Sequence, residues 1–283
     1  MIYYGKIEHQ VKHYSDLVFI GINNGLCSYL KDRNHSLYFF YSKLSGKRYK
    51  ELLDEGFRRS GVYVYKPYCL NCLECQILRV PVKDFQMSKT QKRTWRKVYP
   101  FVNYKIEAPS FSFEKLSLYL RYIKAVHDEY WKKMYPDINE QDVIVKKLLT
   151  KEYYLLTSEE KRAVIDRFQE DYQGFLVDSC LDEGLTKELQ IYYNQELIGF
   201  GIFDIVDDAW SSVYFCYDPD YRKWSIGTFS VLLEIEIAKS MGLSYYYIGY
   251  YIKDSKKMSY KNQFQPYEIK KLNDKDYQRS AQT

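Results

Sequence analysis

In the second half of the chain apolar and polar residues alternate in short runs, the period of half-buried strands. ELQIYYN (188–194) and ELIGFGIFDIVDD (196–208) predict two successive strands, WSSVYFCYD (210–218) a third and SYYYIGYYI (244–252) a fourth. Between the third and fourth, SIGTFSVLLEIEIAKSMG (225–242) predicts a helix with Ser225 as N-cap and Gly242 as C-terminal stop. The first hundred residues carry shorter strand-like runs, LVFIGI (17–22) and GVYVY (61–65), broken by Asn-Asn-Gly, Lys-Pro and a cysteine cluster. From Ser110 to Ile144 the period changes: Phe113, Leu116, Leu120 and Ile123 recur at spacings of three and four, a helix that links the two halves. Residues 150–186, rich in Lys, Asp and Glu, predict helix and loop without a decisive pattern. The reading is an α+β chain, with a small cysteine-rich N-terminal domain over 1–105 and an α/β domain over 106–283.

A chain of 283 residues with 46% hydrophobic content has enough apolar surface to bury a core. No run approaches the roughly 20 apolar residues of a membrane span, and the start lacks a basic leader followed by an apolar stretch, so a cytoplasmic protein with no membrane partner is expected. Its thiols should then be reduced, and clustered cysteines read as ligands rather than disulfides. Cys180 and Cys216 stand alone and read as small buried hydrophobes.

Three cysteines, Cys69, Cys72 and Cys75, follow one another in a double C-x-x-C. Three thiolates need a fourth ligand to close a zinc site or a [4Fe-4S] cluster, and Cys27, after a flexible Asn-Asn-Gly turn, is the candidate. The spacing does not choose between the two cofactors, and three unligated thiols are the plainer alternative. Directly after this cluster the segment 83–97 carries Lys83, Lys89, Lys92, Arg93, Arg96 and Lys97 against Asp84 alone. Such a run is ordinarily a solvated helix face. Beside a cysteine site, and with Trp95 able to pack or stack, it reads as a phosphate-binding surface for tRNA.

A strand, a short loop Asp218-Pro-Asp-Tyr-Arg222 and a helix opening on Ser225-Ile-Gly227 resemble the central unit of the GNAT acetyltransferases, in which a helix N-terminus receives the pyrophosphate of acetyl-CoA. The GNAT pattern Arg-x-x-Gly-x-Gly becomes Arg222-x-x-Ser225-x-Gly227, which points to kinship of fold more than to a CoA site.

Compound motifs give a closer resemblance. CSYL (27–30), GFRRSGVYVYKPYC (56–69), the cysteine triplet, RVPVKDF (79–85), SKTQKRTWRK (88–97), YDPDYRKWSIGTF (217–229) and YIGYYIKDSKKMSYKNQFQPYE (247–268) together resemble the arginyl/leucyl-tRNA–protein transferases of the N-end rule pathway. They resemble especially the bacterial aspartate/glutamate leucyltransferases. The resemblance covers most of the chain and weakens between about 128 and 188. It implies a GNAT-like second domain and transfer of leucine or arginine from its tRNA to the α-amine of proteins beginning with Asp or Glu. That is aminolysis of an already activated ester, so neither ATP nor CoA is required, and proximity supplies much of the acceleration. Glu236, preceded by Glu234, interrupts an apolar helix, and with Tyr250 and Tyr260 it is a candidate for handling the amine proton, although a helical Glu is ordinarily exposed. An acidic N-terminus needs fixed cations: Arg58 and Arg79 are the first choices for acceptor binding, with Lys253 and Lys261 as helpers. The competing readings are an N-acetyltransferase using acetyl-CoA and a non-catalytic, cluster-bearing RNA-binding protein.

Overall fold

The computed structural model describes residues 19–280. The start of the strand expected at 17–22 and the N-terminal stretch read for a leader therefore lie outside the described residues. Two sheets carry the fold. Strands β1 (Phe19–Leu26), β2 (Asn34–Tyr41), β3 (Arg58–Ser60) and β4 (Tyr63–Pro67) form an antiparallel sheet in the order β1-β2-β4-β3. Helix α1 (Gly46–Asp54) packs Tyr49, Leu52 and Leu53 inward. Its N-cap is Ser45, whose hydroxyl accepts from the Arg48 amide.

The larger sheet has eight strands in the order β12-β11-β5-β10-β9-β8-β7-β6. Here β5 is Gln76–Pro81, β6 Val102–Glu107, β7 Thr186–Tyr193, β8 Glu196–Val206, β9 Ala209–Tyr217, β10 Tyr245–Tyr251, β11 Glu268–Lys271 and β12 Gln278–Arg279. The four strands expected from alternation in the second half are thus β7 to β10. One face of this sheet is covered by α2 (Lys89–Val98) and by α8 (Ile226–Ser240), the helix that joins β9 to β10. The other face lies under α3 (Phe113–Val126), α4 (Asp128–Met134), α5 (Val143–Leu149), α6 (Ser158–Val164) and α7 (Glu170–Tyr172). Two π-helical turns, Ile165–Gln169 and Gln173–Val177, flank α7. The segment 110–144, expected as one helix, breaks after α3 at His127, which sits in a non-helical conformation.

The sheet crosses the boundary expected at 105/106. Strand β5, from the first half of the sequence, lies between β10 and β11, paired antiparallel to both. Beyond that shared sheet, the Arg59 guanidinium donates two hydrogen bonds to Asp204 on β8, at 2.7 and 2.6 Å, both side chains being wholly buried. At the next turn Gly61, with φ of +56°, lies so close to the 173–177 π-turn that a Cβ would sit 1.9 Å from the Gly174 carbonyl oxygen. The two halves are built as one body.

Among the described residues one pair of neighbours in the large sheet is parallel: β9 and β10, in register over Ala209–Ser211 and Tyr245–Tyr247. Beyond that point they separate. Val213 is an extra residue where β9 pairs with β8, and the β10–β5 register shifts between Tyr247 and Gly249. A strand-helix-strand unit whose parallel strands splay beside a helix N-terminus is the GNAT-like arrangement, and the helix ends follow the sequence. At Gly242 (φ +73°) the amide reaches the Lys239 carbonyl and the next amide reaches Ala238, a Schellman stop. Ser225 does start the helix, but not by its hydroxyl: it lies in the left-handed region (φ 56°), and its carbonyl receives Thr228 and Phe229. That conformation favours glycine, which explains the glycine of the GNAT pattern at this place.

Candidate active site

The cleft between the diverging ends of β9 and β10 is where the sequence-predicted residues are best tested. Aromatic rings gather at the far end of β9. Tyr122, on α3, meets Tyr217 of β9 at 5.1 Å between ring centroids and His127 at 5.6 Å, both edge to face. Gly227, in the first turn of α8, faces the Tyr217 ring, which a Cβ there would approach to 3.6 Å. Tyr260, from the 3-10 turn Ser259–Gln263 after β10, leaves 44% of its surface open. Burial, then the Glu234 carboxylate, push its hydroxyl above the ordinary phenol value.

Glu234 of α8 is buried and accepts from the Tyr246 hydroxyl at 2.8 Å and the Trp210 indole N–H at 3.1 Å. Ser212 lies near enough to favour its charged form as well. Burial, with no cationic partner among the described residues, pushes this carboxyl up to about 7, against the pull of those three groups. Glu236, two residues on, is turned roughly 200° around the helix and lies half-buried outside this network. The sequence signal was a pair of acids in an apolar helix, and the inward member is Glu234. Tyr250 is likewise corrected: its hydroxyl donates to the Gly56 carbonyl at 2.6 Å, tying β10 to the segment after α1 instead of opening to the cleft.

The two candidate arginines part company. Arg79 is fully committed: it bonds Asp54 at 2.7 Å, Glu268 at 2.8 Å and the Tyr247 hydroxyl at 3.1 Å, between the rings of Tyr245 and Tyr277. It holds β5, β10 and β11 together and is dropped as an acceptor residue. Arg58 is 6% exposed and sends Nη2 to the carbonyl of Ser212, just past the end of the β9–β10 pairing. Its Nη1 has no hydrogen-bond partner among the described residues. Adjacent residues on a strand point to opposite sides. Arg59 therefore anchors β3 to the large sheet while Arg58 enters the splay.

Lys261 joins Arg58 there. Its ammonium donates to the Tyr250 carbonyl at 2.9 Å, and burial, then the neighbouring Arg58 charge, push it down to about 7. Gly249 makes the room: with φ of +99° it carries no Cβ, and one placed there would stand 3.0 Å from the Lys261 nitrogen and 3.9 Å from Arg58 Nη2. Two buried basic side chains thus meet beside an unfilled guanidinium donor, an arrangement an anion can answer. Lys253 is exposed on the loop after β10 and is not part of it.

The basic run forms α2, capped by Ser88 and Gln91 in a reciprocal capping box. Lys89, Lys92, Arg93, Arg96 and Lys97 fall at helical spacing along one exposed stripe, while Gln91 and Val98 are buried. Trp95 packs: it stacks on Tyr99 at 4.4 Å and tilts against Phe229 of α8. Lys97 donates to the Lys223 carbonyl at 2.7 Å, so the stripe runs on to the exposed Arg222 and Lys223 before α8. Elsewhere, a depression of about 450 Å³ between Arg121, Lys124, Lys151 and Asp220 has its Arg121 and Lys151 already matched by Asp218, Asp220 and Glu196. It braces the 143–156 segment against the β9–α8 loop.

The cysteines share one neighbourhood. Cys75 is pushed up to about 12 by burial and then by Cys69, Cys27 and Cys72 in turn. Cys69 hydrogen-bonds the Ser36 backbone, and Arg33 Nη1 lies 3.4 Å from Cys72 sulfur. The expected quartet is thus gathered but not closed: among the described residues no three ligating side chains converge as a metal shell.

Comparison with known proteins assigns the class. The family model described as Arginine-tRNA-protein transferase, N terminus, matches residues 25–93, and its C-terminus counterpart matches 114–271. The chain belongs to this family and is an aminoacyl-tRNA–protein transferase. Similar proteins include the aspartate/glutamate leucyltransferases of Acinetobacter baumannii, 33% identical over 86% of this chain and 78% of that one, and of Campylobacter jejuni, 33% over 87% and 89%. The one from Marinobacter nauticus is 32% identical over 89% of this chain and 92% of that one. Among solved structures, FemX aligns over 90% of this chain and 87% of its own at 10% identity and a TM-score of 0.37. No helix among the described residues is long and apolar enough to cross a membrane.

Proposed function

We propose that this transferase moves leucine from its tRNA to the α-amine of proteins that begin with Asp or Glu, and that Arg58 reads the acidic side chain. The unfilled, buried Nη1 of Arg58 in the β9–β10 splay carries this reading. A carboxylate is the ligand that answers it, since an unpartnered buried donor costs about 1–3 kcal/mol until an acceptor arrives, more when charged. The same carboxylate would hold Lys261 protonated. Leucine as the donor follows the relatives' names, which are the support for that choice.

An aminoacyl ester already stores its activation, so the site has to align an unprotonated amine with the ester carbonyl. Replacing Arg58 by Gln should lower the preference for Asp- over Ala-starting peptides by about 10²-fold or more, by raising the Michaelis constant for the acidic peptide. The assay uses charged leucyl-tRNA, with arginyl-tRNA and acetyl-CoA in parallel. An R58Q enzyme as selective as the parent would sink the assignment.

We assign the α2 stripe to tRNA phosphates. Replacing Lys92, Arg93 and Arg96 together by Ala should weaken binding to different tRNAs alike and flatten the salt dependence, by about 0.7–0.9 in log–log slope for each phosphate no longer neutralised. Unchanged affinity removes the stripe from the interface. For Cys27, Cys69, Cys72 and Cys75 the donor set fits a soft metal: four free thiols in one neighbourhood, with Arg33 beside Cys72. A zinc ion or [4Fe-4S] cluster held there would tie the 69–75 loop to the turn at 27–33. Anaerobically prepared protein should contain stoichiometric zinc or iron; neither metal above trace would end the proposal.

A further inference from the structure

Ser211 sits where β9 and β10 part. It is the last β9 residue in register with β10, opposite Tyr247, and the next residue, Ser212, gives its carbonyl to Arg58. The Ser211 hydroxyl is wholly buried and has no hydrogen-bond partner among the described residues. Strand alternation fixes its direction: Trp210 turns toward α8, where its indole meets Glu234, so Ser211 turns to the opposite face. That is the face on which β3 lies, since Asp204, in register with Ser211 on β8, is met there by Arg59. Both in-register neighbours are taken, Asp204 by Arg59 and Thr186, and the Tyr247 hydroxyl by Asp54 and Arg79. Two buried donors without partners, the Ser211 hydroxyl and Arg58 Nη1, thus flank the Ser211–Ser212 peptide unit at the head of the splay.

A buried hydroxyl with no partner is a net cost to the fold, and it calls for an explanation in what the site binds. We propose that Ser211 is a second acceptor-reading residue, whose hydroxyl donates to the same side-chain carboxylate that Arg58 receives. The inference rests on the acceptor reading above and extends it to a residue of another strand. A carboxylate only accepts, and its two oxygens present about four lone-pair sites. Arg58 Nη1, the Ser211 hydroxyl and the ammonium hydrogens that Lys261 does not direct to the Tyr250 carbonyl can fill several of them together. Gly249 keeps the space open, since a Cβ there would stand 3.0 Å from the Lys261 nitrogen and 3.9 Å from Arg58 Nη2. Donors from β3, β9 and the turn after β10 fix the direction of the carboxylate as well as its charge. An N-terminal Ala leaves all of them unanswered.

The test is steady-state transfer from leucyl-tRNA to Asp- and Ala-starting peptides by the full-length parent, Ser211→Ala, Ser211→Cys and Arg58→Gln, with thermal unfolding of each free enzyme. Ser211→Ala should raise the Michaelis constant for the Asp-starting peptide about 10- to 100-fold, the worth of one hydrogen bond to a charged group, and leave those for the Ala-starting peptide and leucyl-tRNA unchanged. Its thermal midpoint should equal or exceed the parent's, because the change removes a buried polar group that had no partner. A serine kept for the fold would give the reverse: a lower midpoint with the Asp-over-Ala preference intact, which overturns the proposal. Ser211→Cys keeps the shape of the side chain with a weak donor, so it should lose the preference as Ala does, and it decides the matter should Ser211→Ala fold poorly. If Arg58→Gln loses the preference while both Ser211 variants keep it, the acceptor reading stands and this inference is wrong. If Arg58→Gln keeps it, the acceptor reading itself fails and the inference falls with it.

Discussion

Replacing Arg59 by Ala should destabilise the protein by about 3–5 kcal/mol, because it leaves the Asp204 carboxylate buried without its counter-charge. The wholly buried pair also engages the Gly61 carbonyl at 3.1 Å and the Thr186 hydroxyl at 3.3 Å, so several groups lose their partner together. At roughly 2–4 °C per kcal/mol for a chain of this size, the thermal midpoint should fall by about 10 °C. Arg59→Met combined with Asp204→Leu should be milder than either single change, since neither charge is then left behind. A double variant as unstable as Arg59→Ala would show that packing, not the orphaned charge, sets the cost. Activity should fall with stability in Arg59→Ala, because the adjoining Arg58 depends on the same strand for its place in the splay.

The second large effect is a pH-dependent stability that Glu234→Gln removes. A carboxyl near 7 in the fold against 4.5 when unfolded means that the folded state binds more protons between those values. Its contribution to stability is fully present below about pH 4.5 and is lost as pH rises through 7, in total roughly 3 kcal/mol. Asp54 and Asp218, held below the ordinary carboxylate range by hydrogen bonds to Lys50 and Tyr247 and to Arg121 and Lys151, act in the opposite sense. The informative quantity is therefore the difference between variant and parent. Glu234→Gln should gain about 3 kcal/mol over the parent between pH 4.5 and pH 8, measured by urea unfolding at each pH. A difference that stays constant across that range would place the Glu234 carboxyl at its ordinary value.

What the sequence disclosed follows from how local each signal is. Alternation marked β7 to β10, and Gly242 marked the end of α8, because period and cap are properties of neighbouring residues. Strand β5 escaped detection: QILRVP is short, lies behind three cysteines, and owes its place to pairing with β10 and β11 far along the chain. The candidate site shows the same division. GFRRSG offered two arginines without saying which was structural, since the answer lies in Asp204 and Ser212, about 150 residues away. Arg79 looked equally free because Asp54 and Glu268 are remote in sequence. Glu234 differs from Glu236 only by its phase on the helix, and the side of α8 that faces the cleft is fixed by the β9–β10 splay.

Strand β5 also sets the order of events during synthesis. It is made before residue 82, but its two neighbours, β10 and β11, arrive only with residues 245–251 and 268–271. A ribosome-bound chain that has just completed α8 therefore has the basic helix α2 but neither β10 nor β11. Activity should switch on late in translation and abruptly, after the final strands have emerged from the exit tunnel, and a nascent chain stalled before residue 245 should be inert.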